Sequence, residues 1–235
     1  MPDVIGNLGG VPVTIPGYMP RLVEYEGDPG WGGKWKGPLP VRTHASVITS
    51  FGIDLKLPDM KALPPAEELA DKRLYTIRNS PWFSVGVKSG SAYPGDGWVE
   101  RGVRADLNRP PSQVRVWGSF EKVASEIPGL EQYALRVTPL PNAKYPQRGE
   151  DLYVARDAKG VARAAILCSH PAVHGGISTC RHDFSLEPEM KAQVYMNYRR
   201  DQLNQWKSIE TGVRNVIASF RQPAGDIAAL SSRTN

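Results

Sequence analysis

DLYVARD (151–157), AKG (158–160), VARAAILC (161–168), ISTCRHDFSL (177–186) and KAQVYMNY (191–198) follow one another with only turn chemistry and a Pro/His/Gly loop between them. Short β-prone runs punctuated in this way read as an antiparallel meander. At Lys159-Gly160 the chain must reverse, because glycine supplies the positive φ that a tight turn demands, so the flanking strands pair. Glu187-Pro188-Glu189 breaks the next two runs apart, since proline cannot donate to a ladder. After it, Ala192, Val194, Met196 and Tyr198 alternate with Gln193, Tyr195 and Asn197, the period of two of a half-buried strand.

Beyond Tyr198 the period changes. Leu203, Trp206, Ile209, Val213, Val216, Ile217 and Phe220 recur at threes and fours with Pro223 just past the last of them, which predicts a helix starting near Arg199. An amphipathic helix needs a sheet face to cover, and the meander is the nearest. The fold class is therefore α+β, mainly antiparallel β-sheet with a C-terminal amphipathic helix packed on it.

Upstream, Val4-Ile5, Val11 and Val13-Thr14-Ile15 are short apolar pieces, and Leu22–Tyr25, Thr43–Leu57 and Ser80–Ser89 read as strands, the second bulged at Gly52. Pro64–Asp71 reads as a short helical turn with Glu67 and Glu68 at its positive end. Gly90–Trp98 reads as loop. After Arg109-Pro110-Pro111-Ser112, the alternating runs Val114–Trp117 and Tyr133–Val137 read as two more strands. The prolines at 139, 141 and 146 mark a connection longer than usual. One domain over residues 1–235 accounts for the chain, divisible into subdomains 1–138 and 150–222 joined by the Pro-rich 139–149 connection, with 223–235 a loose tail.

With 235 residues the chain can bury a sizeable core without metals or several disulfides, and 23 glycines and 21 prolines favour loops and short strands over helix. Its net charge of +5 suits an acidic partner. The cations are dispersed among acids, however, and no run has the density of a nucleic-acid patch. No stretch approaches the ~20 apolar residues needed to cross a bilayer, and Met1-Pro2-Asp3 opens without the charged and apolar regions of a signal peptide.

Reactive residues are densest at Cys168, His170, His174, Cys180 and His182. Thiolate and imidazole are zinc's preferred ligands, and Cys168, His174 and His182 would serve a zinc-dependent hydrolase. The spacing lacks a C-x-x-C pair, and the cysteines fall on strands flanking one loop. An isolated pair so placed favours a Cys168–Cys180 disulfide over zinc or two buried thiols, and with it an oxidising compartment. Gly6-Asn7-Leu8-Gly9-Gly10 lacks the G-x-G-x-x-G spacing and reads as a turn. Gly86-Val87-Lys88-Ser89-Gly90 is neither G-x-S-x-G nor a phosphate loop. No catalytic constellation, cofactor motif or H-E-x-x-H stands out.

Gly27–Gly37 has nothing to hold regular structure, yet it carries two tryptophans. Either Trp31 and Trp35 fold back to plug the core edge, or they are anchors for a protein partner beside Lys34 and Lys36, since tryptophan is enriched in interface hot spots. Lys144, Tyr145 and Arg148 in the Pro-rich connection are a second set of candidate anchors.

The opening Asp3–Val13, then Val23–Trp31, Ser50-Phe51-Gly52, Pro58-Asp59-Met60, and Cys180–Phe184 with the following Trp206 helix resemble immunity proteins encoded beside type VI secretion lipase effectors of the third lipase-effector family. The resemblance spans most of the chain. It implies a periplasmic, non-catalytic protein that binds a cognate phospholipase toxin and covers its substrate entrance, made with a leader or lipid anchor in the native precursor. A structural envelope lipoprotein without a toxin partner is the remaining alternative to the hydrolase.

Overall fold

The computed structural model describes residues 1–30, 33–136, 150–170 and 177–222. In chain order the elements are β1 (Val4–Leu8), β2 (Val11–Ile15), β3 (Arg21–Tyr25), β4 (Ile48–Lys56), α1 (Pro65–Lys72), β5 (Trp82–Lys88), α2 (Trp98–Leu107) and α3 (Pro111–Trp117). Then come β6 (Ser119–Val123), β7 (Glu131–Arg136), β8 (Glu150–Arg156), β9 (Ala162–Ser169), β10 (Thr179–Ser185), β11 (Gln193–Arg199), a 3-10 segment Arg200–Gln205 and α4 (Trp206–Ala218). Strands predominate and pair antiparallel, and a C-terminal helix packs on them, as the periodicity requires. The chain divides into two compact units, one holding Met1–Pro94, Leu186–Gln193 and the chain from Ser208 on, the other Gly95–Ser185 and Val194–Lys207. The Pro-rich 139–149 connection and the 223–235 tail lie outside the described residues.

In the first unit, β1 and β2 form a hairpin from Val4↔Ile15 to Leu8↔Val11. Gly9 and Gly10, at φ 58° and 98°, make its two-residue turn, where positive φ is required at both places. The turn is thus narrower than Gly6–Gly10, and Gly6 to Leu8 belong to the strand. A Cβ on Gly9 would stand 2.6 Å from the Lys191 backbone N, whose N–H donates to Gly9 O at 2.9 Å, so only glycine fits. Alongside lies the antiparallel set β3-β4-β5. Gly52 is not a bulge: β4 pairs with β5 without a break from Ser50↔Lys88 to Lys56↔Trp82. The β3–β4 pairing is irregular instead: Leu22 and Val23 together stand against Phe51, the register shifts again between Glu24 and Tyr25, and Leu22 takes φ 51°. Ile209, Val213, Ile217 and Phe220 are buried, the face the sequence assigns to the C-terminal helix. Thr14 N–H donates to Phe220 O (2.8 Å) just past its end.

In the second unit the meander stands as expected, in the order β11-β10-β9-β8-β7-β6. Gly160 has φ 78° in the β8–β9 turn. One face carries Tyr153, Ile166, Cys168, Cys180, His182, Phe184 and Met196, and Leu203 and Trp206 at the entry to the C-terminal helical segment lie over it: the Trp206 ring is 6.2 Å from His182. The opposite face carries Tyr133, Leu152 and Val154, and it is covered by Val99 and Val103 of α2.

That helix takes Trp98 from the end of the expected loop and fills residues 99–107, to which the sequence reading assigned no element. Val99, Val103 and Leu107 are four apart, and Trp98 to Leu107 is helical because that stripe has a sheet face to bury. Val114–Trp117 is also not a strand. It is the end of α3, which Pro111 opens at the first helical position. Four alternating residues are too short a window to separate the two periods.

Ionic links tie the second unit's edge together. Glu131 accepts from Lys122 Nζ (2.6 Å), Arg156 Nε (2.7 Å) and Tyr133 Oη (2.9 Å). Hydrogen bonds from Lys122 and then Arg156 hold its carboxyl down at about 2, against an ordinary 4.5. A depressed carboxylate stabilises the fold above its unfolded pKa, and that stability is lost as pH falls from about 4.5 through 2. The side chain is 31% exposed, so solvent screening reduces the effect to about 1 kcal/mol at neutral pH. Glu131→Gln is therefore expected to unfold at lower urea at pH 7 and to converge with the wild type near pH 2. Urea midpoints across that range check it, and wild-type and variant curves that stay parallel contradict it.

Candidate functional site

The loop between β3 and β4 is built by the residues at its base. Glu26 N–H donates to Val47 O (2.9 Å), Asp28 N–H to Tyr25 O (3.0 Å), and Tyr25 N–H back to Asp28 Oδ2 (2.9 Å), which closes the chain into a turn as it leaves the sheet. Gly33 N–H reaches Gly30 O at 3.0 Å. A Cβ on Gly33 would stand 2.3 Å from Pro29 O, so this second reversal also needs glycine.

Where the loop returns, Arg42 pairs with Asp28 and lies over the Tyr25 ring at 4.2 Å, with its guanidinium 5.8 Å from the Trp35 centroid. Tyr25 Oη donates to Ile5 O at 2.8 Å. Burial pushes the Tyr25 phenol up, against the opposing pull of Arg42. Asp28, Tyr25 and Arg42 thus fix both ends of the loop to β3 and, through Ile5, to β1.

Between these ends every residue from Gly33 to Val41 is exposed. Trp35 is 41% exposed and rests against Arg42 instead of plugging a core. Lys34 and Lys36 flank it, and among the described residues neither has an ionic partner. This contrasts with the cations near α1, where Arg21 pairs with Glu68, Lys72 with Asp54 (2.6 Å) and Lys56 with Asp71 (2.8 Å). Trp31 lies outside the described residues, as do Lys144, Tyr145 and Arg148. Leu39 (74% exposed) and Val41 (89%) extend the apolar surface beyond what the sequence reading included. The available signal was Pro38-Leu39-Pro40-Val41, aliphatics alternating with prolines that cannot join a ladder.

The cysteine and histidine cluster resolves otherwise. Cys168 and Cys180 are directly paired across β9 and β10 with Cα atoms 4.0 Å apart and form a disulfide. Both are fully buried. Cys168 therefore offers no thiolate to zinc, and the Cys168/His174/His182 set loses that ligand. His182 is fully buried, with Nδ1 3.2 Å from Tyr198 Oη and its ring edge-on to Phe184 at 5.5 Å. His170 is exposed, and His174 lies outside the described residues. Among the described residues no group of three or more His, Cys, Asp or Glu side chains is placed to hold a metal ion.

No family model matches the chain, and no curated protein matches it. Its fold is similar to the solved structure of an immunity protein of the Stenotrophomonas maltophilia type IV secretion system, with a TM-score of 0.61 and 22% identity over 94% of each chain.

Proposed function

We propose that this protein is an immunity protein, which binds a toxin delivered by a bacterial secretion system and neutralises it by occlusion, without catalysis. The observation that carries this reading is the likeness to a solved immunity protein over 94% of both chains. The sequence resemblance supports the same class from separate evidence, and it is the source of the finer proposal, that the toxin is a type VI phospholipase whose substrate entrance is covered. The solved neighbour is described with a type IV system, so the two sources agree on the class and differ on the delivery route. A periplasmic site of action fits the Cys168–Cys180 bridge, because structural disulfides form and persist in oxidising compartments. The proposed anchors are Trp31, Lys34, Trp35 and Lys36, with Lys144, Tyr145 and Arg148 as a second group.

The test is co-expression with the product of the adjoining gene as the candidate toxin, both sent to the periplasm of a sensitive host. Growth is expected to fail with the toxin alone and to recover when this chain is present, and the two purified proteins should co-elute. A lipase target predicts that mixing also stops ester hydrolysis by the toxin in vitro. Killing that proceeds unchanged beside an abundant, folded partner, with no complex on the column, rejects the reading.

A further inference from the structure

The exposed loop has a composition that the rest of the described surface balances differently. From Pro29 to Ile53 the sequence holds Lys34, Lys36 and Arg42 and no aspartate or glutamate. Arg42 is neutralised by Asp28, and the two lysines have no ionic partner among the described residues. Between and beyond them stand Trp35, Leu39 and Val41, at 41%, 74% and 89% exposure. Single exposed apolar residues are ordinary, but three within seven positions, rimmed by charge of one sign, mark a binding surface. Pro38 and Pro40 fix φ along the segment, and the Tyr25–Asp28–Arg42 clamp fixes its base. A segment stiffened in this way loses little freedom on binding.

We infer that Lys34–Val41 is the arm by which this protein docks on its toxin: Trp35, Leu39 and Val41 enter an apolar mouth on the partner protein, and Lys34 and Lys36 meet carboxylates on its rim. The inference rests on the immunity reading and adds the docking element and the chemistry it recognises. One tryptophan and two aliphatics match the few central residues that dominate protein interfaces. Two lysines are a small electrostatic contribution for a bilayer surface, where stable association draws on several cations or a second anchor.

The experiment uses the full chain and the purified candidate toxin that it protects against in the co-expression test. Trp35→Ala/Leu39→Ala/Val41→Ala is expected to bind at least about 30-fold more weakly, the loss of roughly one hot spot. Lys34→Glu/Lys36→Glu is expected to slow association and to flatten its dependence on salt, as rim charges do. All five side chains are exposed, so both variants should melt with the wild type. A folded triple variant that binds like the wild type overturns the inference and leaves the immunity reading standing. A wild type that fails to bind the toxin overturns both. Sedimentation with phosphatidylglycerol vesicles that is lost in the triple variant while toxin affinity is unchanged assigns the arm to a membrane and also overturns it.

Discussion

Phe184→Ala is expected to cost about 3–5 kcal/mol of stability, the range for truncating a buried phenylalanine. Phe184 is fully buried in β10, on the same face as Ile166 and Cys168 of β9, and its ring meets that of His182 edge-on at 5.5 Å. Strand pairing fixes the backbone on both sides, so little collapse into the space is available and most of the cavity remains. One residue away, the Arg181–Asp183 pair on the opposite face has its arginine 54% exposed, and Arg181→Ala should change stability by no more than about 1 kcal/mol. Urea unfolding of the two variants measures the contrast. Equal midpoints would mean that this face of the meander is not packed as described.

Removing the bridge with Cys168→Ala/Cys180→Ala is expected to destabilise the protein by about 2–4 kcal/mol. The cysteines are 12 residues apart in sequence, and freeing them restores to the unfolded chain the freedom of that closed loop. Both sulfurs also leave a fully buried site, which adds a packing loss. Non-reducing mass spectrometry of protein made in the periplasm should first show a peptide linking Cys168 to Cys180. Two freely alkylated thiols in that sample would remove the bridge and, with it, the chemical support for an oxidising compartment. A double variant as stable as the oxidised protein would show that strand pairing alone holds β9 against β10.

The candidate site was legible in part. Tryptophan and lysine in a segment of glycine and proline are visible without coordinates, because nothing in 27–37 can form a periodic element that would hide them. Whether Trp35 faces inward or outward was not visible. That depended on Arg42, fifteen residues past Gly27, returning to Asp28 and Tyr25, where the Trp35 ring rests against it. The zinc alternative failed for a similar reason: ligand types can be read from a sequence, but the pairing Cys180↔Cys168 is a matter of register.

The sequence by itself determined the elements whose rule is local and repeated often enough to be unambiguous. These are the meander of Glu150–Arg199 with its glycine turn, the period-two burial of Val194 to Tyr198, and the four-residue spacing of Ile209, Val213 and Ile217. Only the tertiary structure decided α2 and α3, the placement of the β3 irregularity opposite Phe51, and the cover of the meander's second face. Short runs such as Val114–Trp117 satisfy two periods at once, and the choice between them is made by what lies across from them. That information sits in residues distant along the chain: Val99 and Val103 are helical and buried because Tyr133, Leu152 and Val154 present a face that needs covering.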